Sequence, residues 1–109
     1  MIAVDVLASP STTERTTIQF DGSTKQLSVI TTNSSLGPVG GRTPYKTPPL
    51  AGTAIELALW VDHSVVEVFI NSRIALTARA YPTASDSEEV RLWSTGADAA
   101  VSVASWQVV

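Results

Sequence analysis

The chain has 109 residues, of which 44% are hydrophobic and 16% charged, and its net charge is −3. These values predict one globular domain spanning residues 1–109. The seven lysines and arginines form no basic run, and no apolar run approaches the roughly 18 residues of a membrane span, so we expect neither nucleic acid nor a membrane as a partner. Without cysteine, the chain forms no disulfide and no thiolate zinc site.

The first part of the chain alternates apolar and polar residues, which predicts β-strands. Ile2–Ala8 is the first predicted strand, and Ser9–Ser11 ends it. A second alternating segment, Thr16–Phe20, is followed by the turn residues Asp21–Ser23 and then by a third, Gln26–Val29. The Asp-Gly pair in this turn indicates a β-hairpin.

Between Asn33 and Thr53 the alternation disappears, and proline and glycine recur. We therefore predict a long irregular loop. Such a loop is either a solvated crossover between two sheets or a cover packed over one of them, with Tyr45 as a candidate anchor. It opens with the glycosylation sequon Asn33–Ser35.

Alternation returns after this loop. The predicted strands are Ile55–Val61, Val65–Ile70, Ile74–Ala80, Val90–Ser94 and a last one from about Ala99 to Val108. Seven or eight strands without a helical segment predict an all-β fold, a two-sheet antiparallel β-sandwich.

Side chains alternate between the two faces of a strand, so the loop lengths of the central hairpins predict which residues share a face of the sheet. A two-residue loop at His63-Ser64 sets Trp60 opposite Glu67, and a three-residue loop at Asn71–Arg73 continues the pattern into the next strand. One face is then entirely apolar and is the predicted core face. The opposite face carries Trp60, Asp62, Glu67, Phe69, Thr77, Arg79 and Tyr81.

Two interpretations of this second face stay open. Carboxylates and arginine can hydrogen-bond sugar hydroxyls while an aromatic ring covers the sugar, so the face suits carbohydrate binding. In the other interpretation Glu67 and Arg79 form a surface ion pair, and Trp60 and Phe69 dock onto a neighbouring domain.

No catalytic residue is predicted. Glycoside hydrolysis needs two carboxylates around one bond, and Asp62 and Glu67 are the only two acids that can be placed together, on an open sheet without an apolar pocket. His63 is expected to be exposed at a hairpin tip, without the partners of a triad or a metal site. We predict no metal and no cofactor.

The segment VDHSVVEVFINSRIALTARAYPT, residues 61–83, closely resembles the C-terminal β-sandwich domain of glycoside hydrolase family 32, the invertases, inulinases and levanases. ASPSTTERTTIQFD, SSLGPVGGRTPYKTP and VASWQVV are similar to other segments of that domain, so the resemblance covers nearly the whole chain. It implies a lectin/glucanase-like jelly roll.

In this family the sandwich accompanies a five-bladed catalytic propeller, whose motifs are absent from the chain. The resemblance therefore implies a non-catalytic accessory domain of a β-fructofuranosidase, with the propeller as its partner. The domain is also similar to levan-binding modules. That likeness implies an alternative, an independent fructan-binding module, with Asp62, Glu67, Arg79, Tyr81 and Trp60 as its candidate contacts.

The family domain usually begins several strands before the equivalent of Ile2. The chain is therefore expected to be N-terminally short and to leave a sheet edge open, which favours a homo-oligomer. The resemblance implies an extracellular or vacuolar parent enzyme. We predict no signal peptide in the chain itself, because Asp5 interrupts its apolar start.

Overall fold

A computed structural model describes residues 1–35, 45–52 and 55–95. Within them the chain forms eight strands in two antiparallel sheets, so the predicted all-β sandwich is confirmed. None of the described residues belongs to a helix that could cross a membrane. The strands are β1 Ile2–Ala8, β2 Thr16–Asp21, β3 Gln26–Ile30, β4 Tyr45–Lys46, β5 Leu57–Asp62, β6 Val65–Ile70, β7 Ile74–Arg79 and β8 Glu89–Ser94.

The core lies between a five-stranded sheet, ordered β4-β3-β2-β1-β8, and a three-stranded sheet, ordered β5-β6-β7. Alternate residues of each sheet turn inward, so their apolar side chains meet in one layer. The strand β6 contributes most, because it is central in its sheet and its three inward residues are fully buried. The buried cluster contains Val6, Ile18, Leu27, Val29, Leu50, Val66, Val68 and Ile70.

The predicted register of the central hairpins is confirmed. Trp60 pairs with Glu67, and the next hairpin pairs Ile70 with Ile74. In the second turn Asn71 and Ser72 both have positive φ, and the Arg73 N–H donates to the Ile70 carbonyl at 3.0 Å. Asparagine tolerates this left-handed backbone better than most residues.

The strand β5 begins two residues later than predicted. The Glu56 N–H, expected to lie inside the strand, donates to Asn71 Oδ1 at 2.8 Å, and the Asn71 N–H donates to the Glu56 carbonyl at 2.9 Å. A side chain thus takes the place of a ladder partner, and the regular strand starts at Leu57.

The prediction of an irregular loop from Asn33 to Thr53 is wrong for part of its length. Tyr45–Lys46 forms β4 against β3, and Thr47 continues the pairing by exchanging hydrogen bonds with Leu27 through its N–H and its Oγ1. Leu50 then enters the core. This part of the segment therefore covers the sandwich. Residues 36–44, Thr53, the Tyr45 side chain and the predicted strand from Ala99 to Val108 lie outside what the structure describes.

The β2–β3 turn is longer than a two-residue Asp-Gly turn, because Asp21 pairs with Gln26 and four residues lie between them. Asp21 Oδ1 accepts hydrogen bonds from the side chain and backbone of Ser23, which lower the pKa of this exposed carboxyl below its ordinary value. A lowered pKa stabilises the fold above the pKa of the unfolded state. That contribution is lost as the pH falls through the folded-state pKa.

A buried carboxylate joins the β1–β2 loop to the connection that crosses from β7 to β8. Glu14 is fully buried, and its two oxygens accept four hydrogen bonds at 2.6–3.0 Å. The donors are the N–H and hydroxyl of Thr83, the N–H of Ala84 and the hydroxyl of Ser87. Since β7 and β8 belong to different sheets, this carboxylate holds the crossover between them.

We expect Glu14→Ala to lower the free energy of unfolding by about 3 kcal/mol, because one buried and three part-buried hydrogen bonds lose their acceptor. Glu88→Ala is the matched control, since Glu88 is an exposed acid in the same connection. Urea unfolding followed by circular dichroism measures both variants. Equal midpoints for the two variants would contradict this role of Glu14.

Candidate functional site

The sequence-predicted site residues all lie on the outer face of the three-stranded sheet, which we call the mixed face. Because β6 turns Val66, Val68 and Ile70 into the core, the alternate residues of the sheet point away from it. Trp60 is 63% exposed, and Tyr81 and Phe69 are 47% and 37% exposed. The mixed face consists of Trp60, Asp62, Val65, Glu67, Phe69, Thr77, Arg79 and Tyr81.

The strand register fixes which of these residues are neighbours. Trp60 lies directly opposite Glu67, so an aromatic ring and a carboxylate stand side by side. Asp62 and Arg79 flank Val65 in the next row, which separates their backbones by two strand spacings, roughly 10 Å. Tyr81 follows the end of β7, on the same side as Arg79 by parity. The five predicted residues therefore share one face but do not converge on one point.

The predicted ion pair between Glu67 and Arg79 does not form. Among the described residues an ion pair joins Arg91 to Glu89 at 3.3 Å, and a hydrogen bond of 2.6 Å joins His63 Nδ1 to Asp62 Oδ1. Arg79 instead donates through Nη1 to Ser64 Oγ at 3.4 Å. The hairpin end brings these two residues together, because the Ala80 N–H bonds to the Ser64 carbonyl, whereas Glu67 is only a diagonal neighbour.

The two acids of the mixed face differ in exposure, because Asp62 is exposed and Glu67 is half-buried. The Asp62 side chain is 83% exposed, and its partner His63, at 95%, confirms the prediction of an exposed hairpin tip. The pocket that the structure shows lies elsewhere, and neither Asp62 nor Glu67 lines it. In the ranges that the structure covers, no three His, Asp or Glu side chains form a group suited to a metal ion. The mixed face is thus suited to contact a surface rather than to enclose a substrate.

A second feature lies on the opposite side of the sandwich, and the sequence did not reveal it. A shallow pocket of about 140 Å³ opens on the outer face of the five-stranded sheet. Alternation does put Thr17 and Gln19 on one side of β2, but no local pattern indicates that β8 would bring Trp93 beside them. The lining residues are Arg15, Thr17, Gln19, Ile30, Asn33 and Trp93.

Comparison with known proteins gives a consistent picture. The model of the family "Glycosyl hydrolases family 32 C terminal" matches residues 1–108. The chain is 37% identical over 84 residues to an acid beta-fructofuranosidase of Solanum lycopersicum, an alignment that covers 71% of this chain and 13% of that protein. The crystal structure of an exo-inulinase from Aspergillus awamori matches with a TM-score of 0.75 and 31% identity over 87% of this chain. The chain covers only 19% of that inulinase.

Proposed function

The chain belongs to the C-terminal domain family of the family 32 glycosyl hydrolases, and we propose that it is a non-catalytic β-sandwich that supports the catalytic propeller of a β-fructosidase. The observation that carries this proposal is the mixed face, an open surface with three exposed aromatic side chains. The enzyme of which it forms a part acts on sucrose or fructans and is extracellular or vacuolar.

The composition of the mixed face favours docking onto another protein surface. Aromatic residues and arginine are enriched in protein interfaces, whereas most exposed surfaces carry few large aromatic side chains. Trp60 lies on the edge strand β5, opposite Glu67 on the central strand, and Phe69 lies one row away on the central strand. Asp62 and Arg79 lie toward one end of the face. The face thus combines aromatic side chains with arginine, the residue types that recur at the energetically important positions of interfaces.

The positions of the acids on the mixed face are the reason for proposing that this chain is not catalytic. A glycosidase needs one carboxyl group of raised pKa and a second carboxylate on the other side of the scissile bond. Asp62 and Glu67 stand on an open sheet, and Asp62 is paired with His63. In this proposal the propeller supplies every catalytic group, and the sandwich contributes stability.

We expect the chain to release no fructose from sucrose, inulin or levan by itself. Mixed with a separately purified family 32 propeller, such as that of the Aspergillus awamori inulinase, it should raise the melting temperature of the propeller. Trp60→Ala should weaken this effect, whereas Gln19→Ala, on the opposite sheet, should not. Fructose release by the chain alone, or an unchanged melting temperature with the propeller, would contradict the proposal.

We also propose that the chain forms a homodimer when it has no propeller. A second copy would cover the aromatic side chains of the mixed face, and two-fold symmetry is the most frequent arrangement for such contacts. Light scattering coupled to size exclusion should give twice the monomer mass at high micromolar concentration. Trp60→Ala should shift the population toward monomer. A wild-type monomer throughout this range would count against self-association.

A second candidate function is fructan binding by the mixed face. The observation that favours it is the direct pairing of Trp60 with Glu67, because a ring beside a carboxylate can contact both the C–H groups and the hydroxyls of a sugar. Within the part of the chain that the structure describes, the Arg79 side chain bonds only through Nη1, to Ser64, so its remaining donors are available for vicinal hydroxyls. Asp62 and Tyr81 lie at the border.

Calorimetric titration with levan and inulin oligosaccharides separates the two candidates. If the mixed face binds fructan, Glu67→Ala and Arg79→Ala should each weaken the affinity about tenfold, as expected for the loss of a charge-assisted hydrogen bond. Glu88→Ala is the control for charge. Binding that survives both substitutions, or no heat of binding at all, would leave the supporting role as the function of this face.

A further inference from the structure

The pocket on the five-stranded sheet has a preformed aromatic wall. Trp93, on β8, donates its indole N–H to Asp5 Oδ2 at 2.9 Å. Asp5 is 3% exposed, and its other oxygen accepts the hydroxyl of Thr17 at 2.6 Å. A buried carboxylate therefore fixes the orientation of the indole ring while the ring itself stays half-buried at the pocket.

The rim of this pocket carries polar groups whose hydrogen-bonding capacity is largely unused. Arg15 donates through Nη1 to the Thr12 carbonyl, and its other guanidinium donors have no partner in the part of the chain that the structure describes. The side-chain amides of Gln19 and Asn33 likewise make no hydrogen bond to any described residue. The Arg15 N–H donates to the Asn33 carbonyl at 2.6 Å, which holds two of these groups at one rim.

The combination of these groups points to a specific kind of ligand. A fixed aromatic wall contacts an apolar ring face. A guanidinium donates to hydroxyl groups, and side-chain amides both donate to them and accept from them. Pockets for drug-sized ligands measure about 300–1,000 Å³, so a pocket of about 140 Å³ accepts a smaller group. Among the described residues that line the pocket, Arg15 alone is charged, and it does not by itself require an anion.

We propose that the pocket formed by Trp93, Gln19, Arg15 and Asn33 binds a single sugar ring, stacked on the indole and hydrogen-bonded at the rim. This site lies on the sheet opposite to the mixed face, and it does not rest on the supporting role proposed above. The ring has two possible sources. It is either a unit of a free saccharide or the first sugar of a glycan on Asn33, which lines the pocket and begins the sequon Asn33–Ser35.

Nuclear magnetic resonance of the unglycosylated protein from a bacterial host tests the first source. The probes are D-fructose, sucrose and N-acetylglucosamine, titrated separately into millimolar excess. Binding should shift the indole N–H resonance of Trp93 and the side-chain amide of Gln19. Gln19→Ala should weaken the affinity about tenfold. Glu88→Ala, at an exposed acid outside the pocket, should leave the affinity unchanged. Because Trp93 and Trp60 have separate indole N–H resonances, a shift of the Trp93 resonance distinguishes this site from the mixed face.

Expression in a glycosylating eukaryotic host tests the second source. Mass spectrometry should find a glycan on Asn33, and the Trp93 indole resonance should be shifted without added sugar. Complete removal of the glycan, including its first sugar, or Asn33→Gln, should return the resonance to its position in the bacterial protein. A sugar response in the bacterial protein assigns the site to free saccharides. If no probe shifts Trp93 and no glycan-dependent shift occurs, the proposal is overturned. It is also overturned if Gln19→Ala responds like the wild-type protein.

Discussion

The arrangement of the sandwich depends on the buried carboxylate of Glu14. Its four hydrogen bonds hold the connection through which the chain leaves the three-stranded sheet and enters the five-stranded one. That connection sets where β8 begins, and β8 then pairs with β1. The indole of Trp93 reaches Asp5 only in this pairing. The pocket on the five-stranded sheet thus depends on the hydrogen bonds by which Glu14 holds the connection between the two sheets.

The parts of the fold that could be predicted are those that local alternation determines. The strand β6 shows why, because Val66, Val68 and Ile70 must all face inward, and a shift by one residue would turn each of them to solvent. This constraint fixed both hairpin registers and the membership of the mixed face. The inward orientation of these core residues does not determine which side chains of the mixed face contact each other. Arg79, for example, bonds to Ser64 rather than to Glu67.

Several contacts that could not be predicted involve polar residues whose partners are distant in sequence. Glu14 lies in a polar loop, and its sequence context is that of a solvated acid. It is nevertheless fully buried, and the local sequence does not show this because its hydrogen-bond partners lie about 70 residues further along the chain. Thr47 occupies a proline-rich segment, but its hydroxyl accepts a strand N–H from Leu27. Asp5 interrupts an apolar run, where its carboxylate satisfies Thr17 and Trp93. Sequence patterns detect apolar periodicity, and none of these contacts leaves a periodic signal.

The pairing of the first strand with the last described strand has a consequence for the order of folding. The indole of Trp93 and the carboxylate of Asp5 are separated by 88 positions in the chain. Closing so long a segment costs more chain entropy than forming either local hairpin, so the hairpins can assemble well before the five-stranded sheet is complete. During synthesis, β1 leaves the ribosome long before β8 exists. Until then, β1 keeps one hydrogen-bonding edge exposed and accessible to chaperones or to a neighbouring nascent chain.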